Sequence, residues 1–313
     1  MKIIKNIQDL PSIDYSVVTI GGFDGVHLGH QQILRKVRQE AIDNKGTSVV
    51  ITFSPHPRIV LNNSDNKIKL LNTDDEKAVL INKSFIDFLF IMPFNKEFAA
   101  TEPETFVKEI LVKQLKIKKI ILGYDHHFGK DRQGAIDTLQ KLSLPYNFTI
   151  EQIPEVFMNK IAVSSTKIRN AILNKNMTFA NAMLGYRYHL SGIVSQGSGI
   201  GKKLGYPTAN ISINDKNKLL PEPGIYAAIV VYNYRHYKAM LYIGNKPTFD
   251  NYEQVIEVHI IDFNQDIYNK YLLVKIVEFI RDDIKFSDTQ QLIQQIDKDK
   301  IIINEILEDE GVY

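Results

Sequence analysis

Apolar residues recur along this chain with two different periods. In the first half, short apolar runs alternate with stretches spaced like one face of a helix. Val17-Val18-Thr19-Ile20 has the length of a buried strand. From His30 onward Ile33, Leu34, Val37, Ala41 and Ile42 form a helical stripe, and Asn44-Lys45-Gly46 is a helix-ending signal. Ser48 to Phe53, Asp87 to Pro93 and Lys119 to Gly123 are further strands. Thr73-Asp74-Asp75-Glu76 and Thr101-Glu102-Pro103-Glu104 have the spacing of capping boxes. The second stands ahead of a stripe of Phe106, Val107, Ile110, Leu111 and Leu115. This alternation predicts βαβ units and a mainly parallel α/β sheet, whose ligands sit at the carboxyl ends of the strands.

Near residue 185 the pattern changes. Tyr226 to Tyr232, Ala239 to Ile243, Val255 to Phe263 and Leu272 to Ile280 are β-rich, and glycine, proline and asparagine mark their turns. They predict a small antiparallel β-barrel. Ser287-Asp288-Thr289-Gln290 then caps a terminal amphipathic helix carrying Leu292, Ile296, Ile303 and Ile306. A chain of 313 residues exceeds what one core usually holds. The polar stretch from Asn174 to Tyr186 is read as the junction, giving domains 1–184 and 185–313.

Charge narrows the partners. The 38 lysines and arginines against 36 acids argue against a surface that coats a polyanion. The cluster Lys113, Lys116, Lys118 and Lys119 reads as a solvated helix end, so nucleic acid is not an expected partner. With no cysteine, disulfides, zinc–thiolate sites and cysteine nucleophiles are excluded. The first residues lack the apolar core of a signal peptide, and no run of about 18 apolar residues is present. A cytoplasmic location with no membrane partner is the expectation.

Eight of the 17 glycines lie in residues 21–30 and 197–210, one cluster in each half. GGFDGVHLGH at 21–30 follows a strand and opens a helix, an order that aims backbone N–H groups and the positive helix end at one point. A phosphate chain suits that point, and His27 and His30, one helical turn apart, can face it. A tight turn capped by two histidines is the plainer alternative. Zinc is disfavoured, because His-x-x-His supplies two ligands where zinc wants three or four.

The whole decapeptide resembles the signature of HxGH nucleotidylyltransferases, especially their flavin branch. Ser164-Ser165-Thr166-Lys167-Ile168-Arg169 is similar to that superfamily's second signature, although Ser165 alone could simply cap a helix. Thr52-Phe53-Ser54-Pro55-His56-Pro57 and Gly123-Tyr124-Asp125-His126-His127-Phe128-Gly129 resemble two flavin-branch elements, with His126 where an aromatic is common. Gly197-Ser198-Gly199-Ile200-Gly201-Lys202-Lys203-Leu204-Gly205-Tyr206-Pro207-Thr208-Ala209-Asn210 resembles the riboflavin kinase signature, with Lys202 in place of the usual arginine. Arg281 to Phe286 is similar to that family's closing segment, with Asp283 where glutamate is usual.

From residue 21 to 286 the motifs thus resemble the bacterial bifunctional riboflavin kinase/FAD synthetase family. The resemblance implies a Rossmann-like adenylyltransferase half and a kinase-like barrel with a terminal helix. It implies phosphorylation of riboflavin by ATP to FMN, then transfer of AMP from a second ATP to FMN, giving FAD and pyrophosphate. It assigns Gly22, Phe23, Gly25, His27, His30, Asp125, Ser164, Ser165, Thr166 and Arg169 to the first ATP, with Phe53, Pro55 and His56 on the flavin side. It assigns Gly197, Gly199, Gly201, Lys202, Gly205, Pro207, Thr208 and Asn210 to the second ATP, with Arg281 and Phe286 on its flavin side. Thr208 and Asn210, hard oxygen donors two apart, would hold Mg²⁺. Glu257, a carboxylate amid Val255-Ile256 and Val258, would be the kinase base. Its plainer reading is an outward residue on a half-exposed strand, and that of Thr208 and Asn210 is a strand end. Two rivals remain on the sequence: an adenylyl- or cytidylyltransferase with another phosphate acceptor, and a flavin- or nucleotide-binding sensor or scaffold that has lost catalysis.

Overall fold

A computed structural model describes residues 1–61, 68–124, 135–197, 199–247, 252–309 and 311. The chain divides into two compact units, Met1–Ser165 and Thr166–Tyr313.

In the first unit six strands, β1 (Lys2–Ile4), β2 (Ser16–Ile20), β3 (Thr47–Ser54), β4 (Phe88–Pro93), β5 (Ile117–Gly123) and β6 (Thr149–Ile153), form one sheet in the order β1-β4-β3-β2-β5-β6. Every pairing is parallel. The two edge strands were not legible in the sequence: β1 has three residues, and β6 is buried only at Ile153, so neither carries an apolar run. β2 lies between β3 and β5, so the winding direction reverses across it. The carboxyl end of β2 is therefore the topological switch point, where a crevice opens.

Helix α1 (Leu28–Asp43) buries Ile33, Leu34, Val37 and Ala41 on β2, β3 and β5. Each of the three larger side chains contributes about 1.5–3 kcal/mol of burial. Ile42, at the margin of the stripe, is 52% exposed. The left-handed residue after the helix is Lys45 (φ 51°), not Gly46. Gly46 is instead a close-approach position: a Cβ there would stand 2.4 Å from the Tyr15 ring.

Helix α2 (Asp74–Asn82) has the capping box its sequence announced, with Thr73 and Glu76 exchanging both bonds. The second box does not form. Glu102 is the N-cap, without a side-chain bond, and Pro103 starts the helix with its preset φ one residue later than a box at Thr101 would. Beyond Phe106 the helix widens into π-turns over Val107–Gln114, still burying Phe106, Val107, Leu111 and Leu115. The basic cluster is partly neutralised: Lys113 pairs with Glu109 at 2.8 Å, and Lys119 bridges Glu40 at 3.0 Å and Glu151 at 2.6 Å.

The second unit is built on a closed antiparallel barrel. Its strands are β7 (His189–Ser195), β8 (Ala209–Ser212), β9 (Gly224–Tyr232), β10 (Arg235–Pro247), β11 (Tyr252–Ile260) and β12 (Tyr271–Arg281), in the order β8-β11-β10-β9-β12-β7. Ahead of it come α3 (Ser165–Leu173) and α4 (Met177–Leu184). The polar stretch read as a junction is thus mostly helix, and α4 packs on β12. Its Asn181 is buried because it replaces missing backbone partners, donating to the Ile276 and Val277 carbonyls and accepting from Tyr188 N–H. Helix α5 (Thr289–Asp309), capped by Asp288, seals the barrel's outer face. Its Ile303 and Leu307 pack in a cluster with Ile225, Ala227, Met240 and Val277.

Candidate active sites

β2 ends at Ile20, and the glycine-rich turn carries the chain into α1. Gly21 N–H still donates to the Ile51 carbonyl at 3.0 Å. Phe23 (φ 47°), Gly25 (φ 86°) and Val26 (φ 36°) then take left-handed backbone. For a β-branched residue such as Val26 this costs on the order of 1–3 kcal/mol. Phe23 and Val26 are buried, which holds the turn in place.

His27 is the N-cap of α1: its Nδ1 accepts from His30 N–H at 3.4 Å, leaving the ring proton on Nε2. The two imidazoles stack, 3.7 Å between centroids and 17° apart. Structure therefore brings together the two histidines that sequence spacing paired. His30 Nδ1 is buried with no hydrogen-bond partner among the described residues. Burial pushes the His30 imidazole well below the ordinary histidine value, and the charges of His27 and Lys77 push it the same way. His30 thus stands neutral at pH 7, with one N–H to donate.

Gly22 has a use the sequence did not reveal. A Cβ there would lie 2.7 Å from His56 Nε2, so the missing side chain makes room for the ring of His56. The Gly22 carbonyl accepts from Thr52 Oγ1 at 3.3 Å. Phe53 points into the core against Phe94 and Phe98, at centroid distances of 5.6 and 5.9 Å, while Pro55 is exposed after a cis peptide bond. Asp24 fastens the turn to the segment before α2, its Oδ1 accepting from Leu71 N–H at 2.7 Å. Ser165 Oγ, at the end of the first unit, donates to the Asp24 carbonyl at 2.8 Å, which brings that serine of the second signature to the first. Ser164 is half-buried and Thr166 exposed; Arg169 lies one turn along α3 from Ser165. Asp125 lies outside the described residues.

In the second unit the glycine loop leads into β8. Gly199 (φ 71°) and Gly205 (φ 85°) take left-handed backbone. At Gly201 a Cβ would meet the Tyr206 carbonyl at 2.4 Å, and at Gly197 it would meet Asn210 Nδ2 at 2.0 Å. The Asn210 side chain therefore lies against Gly197. Lys202 and Pro207 are exposed. Asn210 pairs with Glu257 in the β8–β11 register, and Thr208 Oγ1 donates to Glu257 Oε2 at 3.1 Å. Three oxygen-bearing side chains thus share one patch.

Glu257 is half-buried, not inserted into the barrel core: Val258 faces inward and is fully buried. Its β10 register partner is Tyr242, whose hydroxyl donates to Asp283 Oδ2 at 3.0 Å. Burial, with that carboxylate bond, pushes the Tyr242 phenol up to about 12. Sequence reasoning missed Tyr242, although the strand register would have placed it. His259 accompanies Glu257 on the outer face, and its Nδ1 lies 2.9 Å from the Pro207 carbonyl. Arg281, expected on the flavin side, has its guanidinium on Asp299, with Nε to Oδ1 at 2.9 Å and Nη2 to Oδ2 at 2.6 Å, and anchors α5. Phe286 is half-buried.

The neutral His30 makes stability pH-dependent. Its folded pKa lies below the ordinary 6.5, so the unfolded chain takes up a proton below that pH that the folded chain refuses. This contribution is fully present above 6.5 and is lost as pH falls; the rings of His236 and His259, lowered chiefly by burial, act in the same direction. Thermal unfolding should show a lower midpoint at about pH 5.5 than at about pH 7.5, and His30→Asn should shrink the difference. An unchanged difference in that variant would contradict the neutral assignment.

Two nucleotide-type turns, one at the switch point of a parallel sheet and one beside a barrel carboxylate, define a two-site phosphate-transfer enzyme. Residues 11–167 match the family model of FAD synthetase, and residues 184–307 that of riboflavin kinase. The chain is 38% identical over 308 residues to the bifunctional riboflavin kinase/FMN adenylyltransferase of Buchnera aphidicola subsp. Schizaphis graminum, covering 97% of this chain and 98% of the relative. With the protein of that name from Escherichia coli K12 the identity is 30%, over 97% of both chains. A crystal structure described as a macrolide-efflux protein from Streptococcus pneumoniae superposes with a TM-score of 0.86 at 32% identity, covering 97% of this chain and 98% of that one. The chain belongs to the bifunctional riboflavin kinase/FMN adenylyltransferase family. Among the described residues no helix is long and apolar enough to cross a membrane.

Proposed function

We propose that residues 1–184 transfer AMP to FMN and residues 185–313 phosphorylate riboflavin, each half with its own ATP. The contact between Thr208 Oγ1 and Glu257 Oε2, beside Asn210, is the observation that carries the kinase assignment. In that half the Glu257 carboxylate accepts the proton of the riboflavin 5′-hydroxyl as its oxygen attacks the γ-phosphorus of ATP and ADP departs. The Thr208 hydroxyl directs its proton to Glu257, which leaves its oxygen lone pairs available. With Asn210 Oδ1 it offers hard oxygen donors that fit Mg²⁺, which supplies charge neutralisation to the phosphates. The glycine loop, with Gly197, Gly199, Gly201, Lys202, Gly205 and Pro207, would cover the phosphates.

In the first half an FMN phosphate oxygen attacks the α-phosphorus of ATP and pyrophosphate leaves. No protein nucleophile is needed. Main-chain N–H groups at the start of α1 would face the phosphates, and the His27 and His30 ring N–H groups would donate as charge grows on the leaving pyrophosphate. The motif adds Asp125, Ser164, Ser165, Thr166 and Arg169 on the nucleotide, with Pro55 and His56 toward the flavin and Phe53 behind them. The cytoplasm, where ATP is abundant, is the location this reading favours.

Incubation of the protein with riboflavin and Mg·ATP, followed by chromatography, tests the pair of activities. FMN and then FAD should appear. Unchanged riboflavin, with flavin nevertheless bound, would favour the sensor instead.

A further inference from the structure

Lys77 belongs to no motif, yet it is 2% exposed, and lysines are rarely buried unless paired. Among the described residues its ion-pair partner is Asp74, with Nζ 3.2 Å from Oδ1. That is longer than the 2.7–2.9 Å of a tight charge-assisted bond. The Asp74 side chain is 41% exposed, so water competes for it. Its other oxygen accepts from Ser54 Oγ, at the end of β3 and two residues before His56. Through Leu71 and Asp24, the segment entering α2 is tied to the glycine-rich turn. A lysine with three donors and one loosely held counter-charge thus stands in the helix whose entry is tied both to the end of β3 and to the glycine-rich turn.

We propose that Lys77 is a further nucleotide-binding residue of the adenylyl-transfer half, held by Asp74 in the resting site and turned onto the ATP phosphates when they enter. This rests on reading the glycine-rich turn as the triphosphate site. The arriving phosphates, more highly charged than Asp74, would outcompete it for the ammonium. Asp74, fixed by Ser54, then acts as a positioning residue that keeps Lys77 within the fold until ATP arrives.

A plain strut between Asp74 and Lys77 would make both substitutions harmful in the same way. The proposal gives them opposite signs. Lys77→Met should raise the KM for ATP in FAD synthesis by about 10- to 100-fold, the size of one charge-assisted hydrogen bond. The KM for FMN and the rate of riboflavin phosphorylation should stay near wild type, and Lys77→Arg should restore part of the loss. Asp74→Asn should lower the KM for ATP; if the Met variant does not fold, this variant decides alone. Equal damage from both, or an Asp74→Asn KM unchanged or raised, overturns the proposal. His30→Asn is assayed alongside: if it abolishes FAD synthesis while the Lys77 and Asp74 variants behave as a strut, this inference alone fails. If it leaves FAD synthesis intact, the reading of the turn fails first.

Discussion

His27→Ala should lower the rate of FAD formation from FMN and ATP by about 100- to 1,000-fold, the usual cost of removing one preorganised donor from a developing negative charge. FMN formation from riboflavin should continue, because its groups lie in the second unit. His27 has a structural duty as well, since its Nδ1 caps α1 and its ring stacks on His30. Losing the cap alone costs about 1 kcal/mol of stability. His27→Asn separates the two roles: asparagine caps well but cannot place a donor where Nε2 stands. The Asn variant should therefore unfold near the wild-type temperature and still fail in FAD synthesis. The assay supplies FMN directly and follows FAD and pyrophosphate. Equal loss of both activities would refute the division of labour, and recovery of FAD synthesis in the Asn variant would reduce His27 to a cap.

Glu257→Gln should do the reverse. The amide keeps the size of the side chain and can still meet Thr208, but it cannot take a proton from an attacking hydroxyl. Positioned proton transfer is worth about 100- to 10,000-fold, so kcat for FMN formation should fall within that range while FAD formation from added FMN is preserved. Because Glu257 is half-buried on the barrel's outer face, the substitution should leave the core formed by Val258 and its neighbours intact. A thermal midpoint close to wild type is the control. Riboflavin phosphorylation at a near wild-type rate would remove Glu257 from the role of base.

Much of this molecule was written in local pattern. Four of the six strands of the parallel sheet, the face of α1, the capping box at Thr73, four barrel strands and the terminal helix follow from periodicity and end signals, because each buries its own apolar positions. The pairing of His27 with His30 followed from spacing of one helical turn. The switch to a barrel near residue 185 showed as a change of period.

Tertiary contact decided the rest. β1 and β6 are edge strands whose short or polar sequences become strands only because a neighbour supplies hydrogen bonds. The stretch from Asn174 to Tyr186 reads as a domain junction because it is polar, and that its Asn181 is buried where strand carbonyls need a donor is visible only in the fold. That the Arg281 guanidinium is bonded to Asp299, eighteen residues along the chain, could not be read from the sequence. Lys77 carried no signal at all, since a lysine after a capping box reads as solvated surface. Sequence determined the helices and strands that bury their own apolar stripe and which backbone must be bare, since those are short-range properties of side-chain size and spacing. Only the packed chain decided which polar groups meet, because charge partners are chosen by distance in space, and distance along the chain does not encode it.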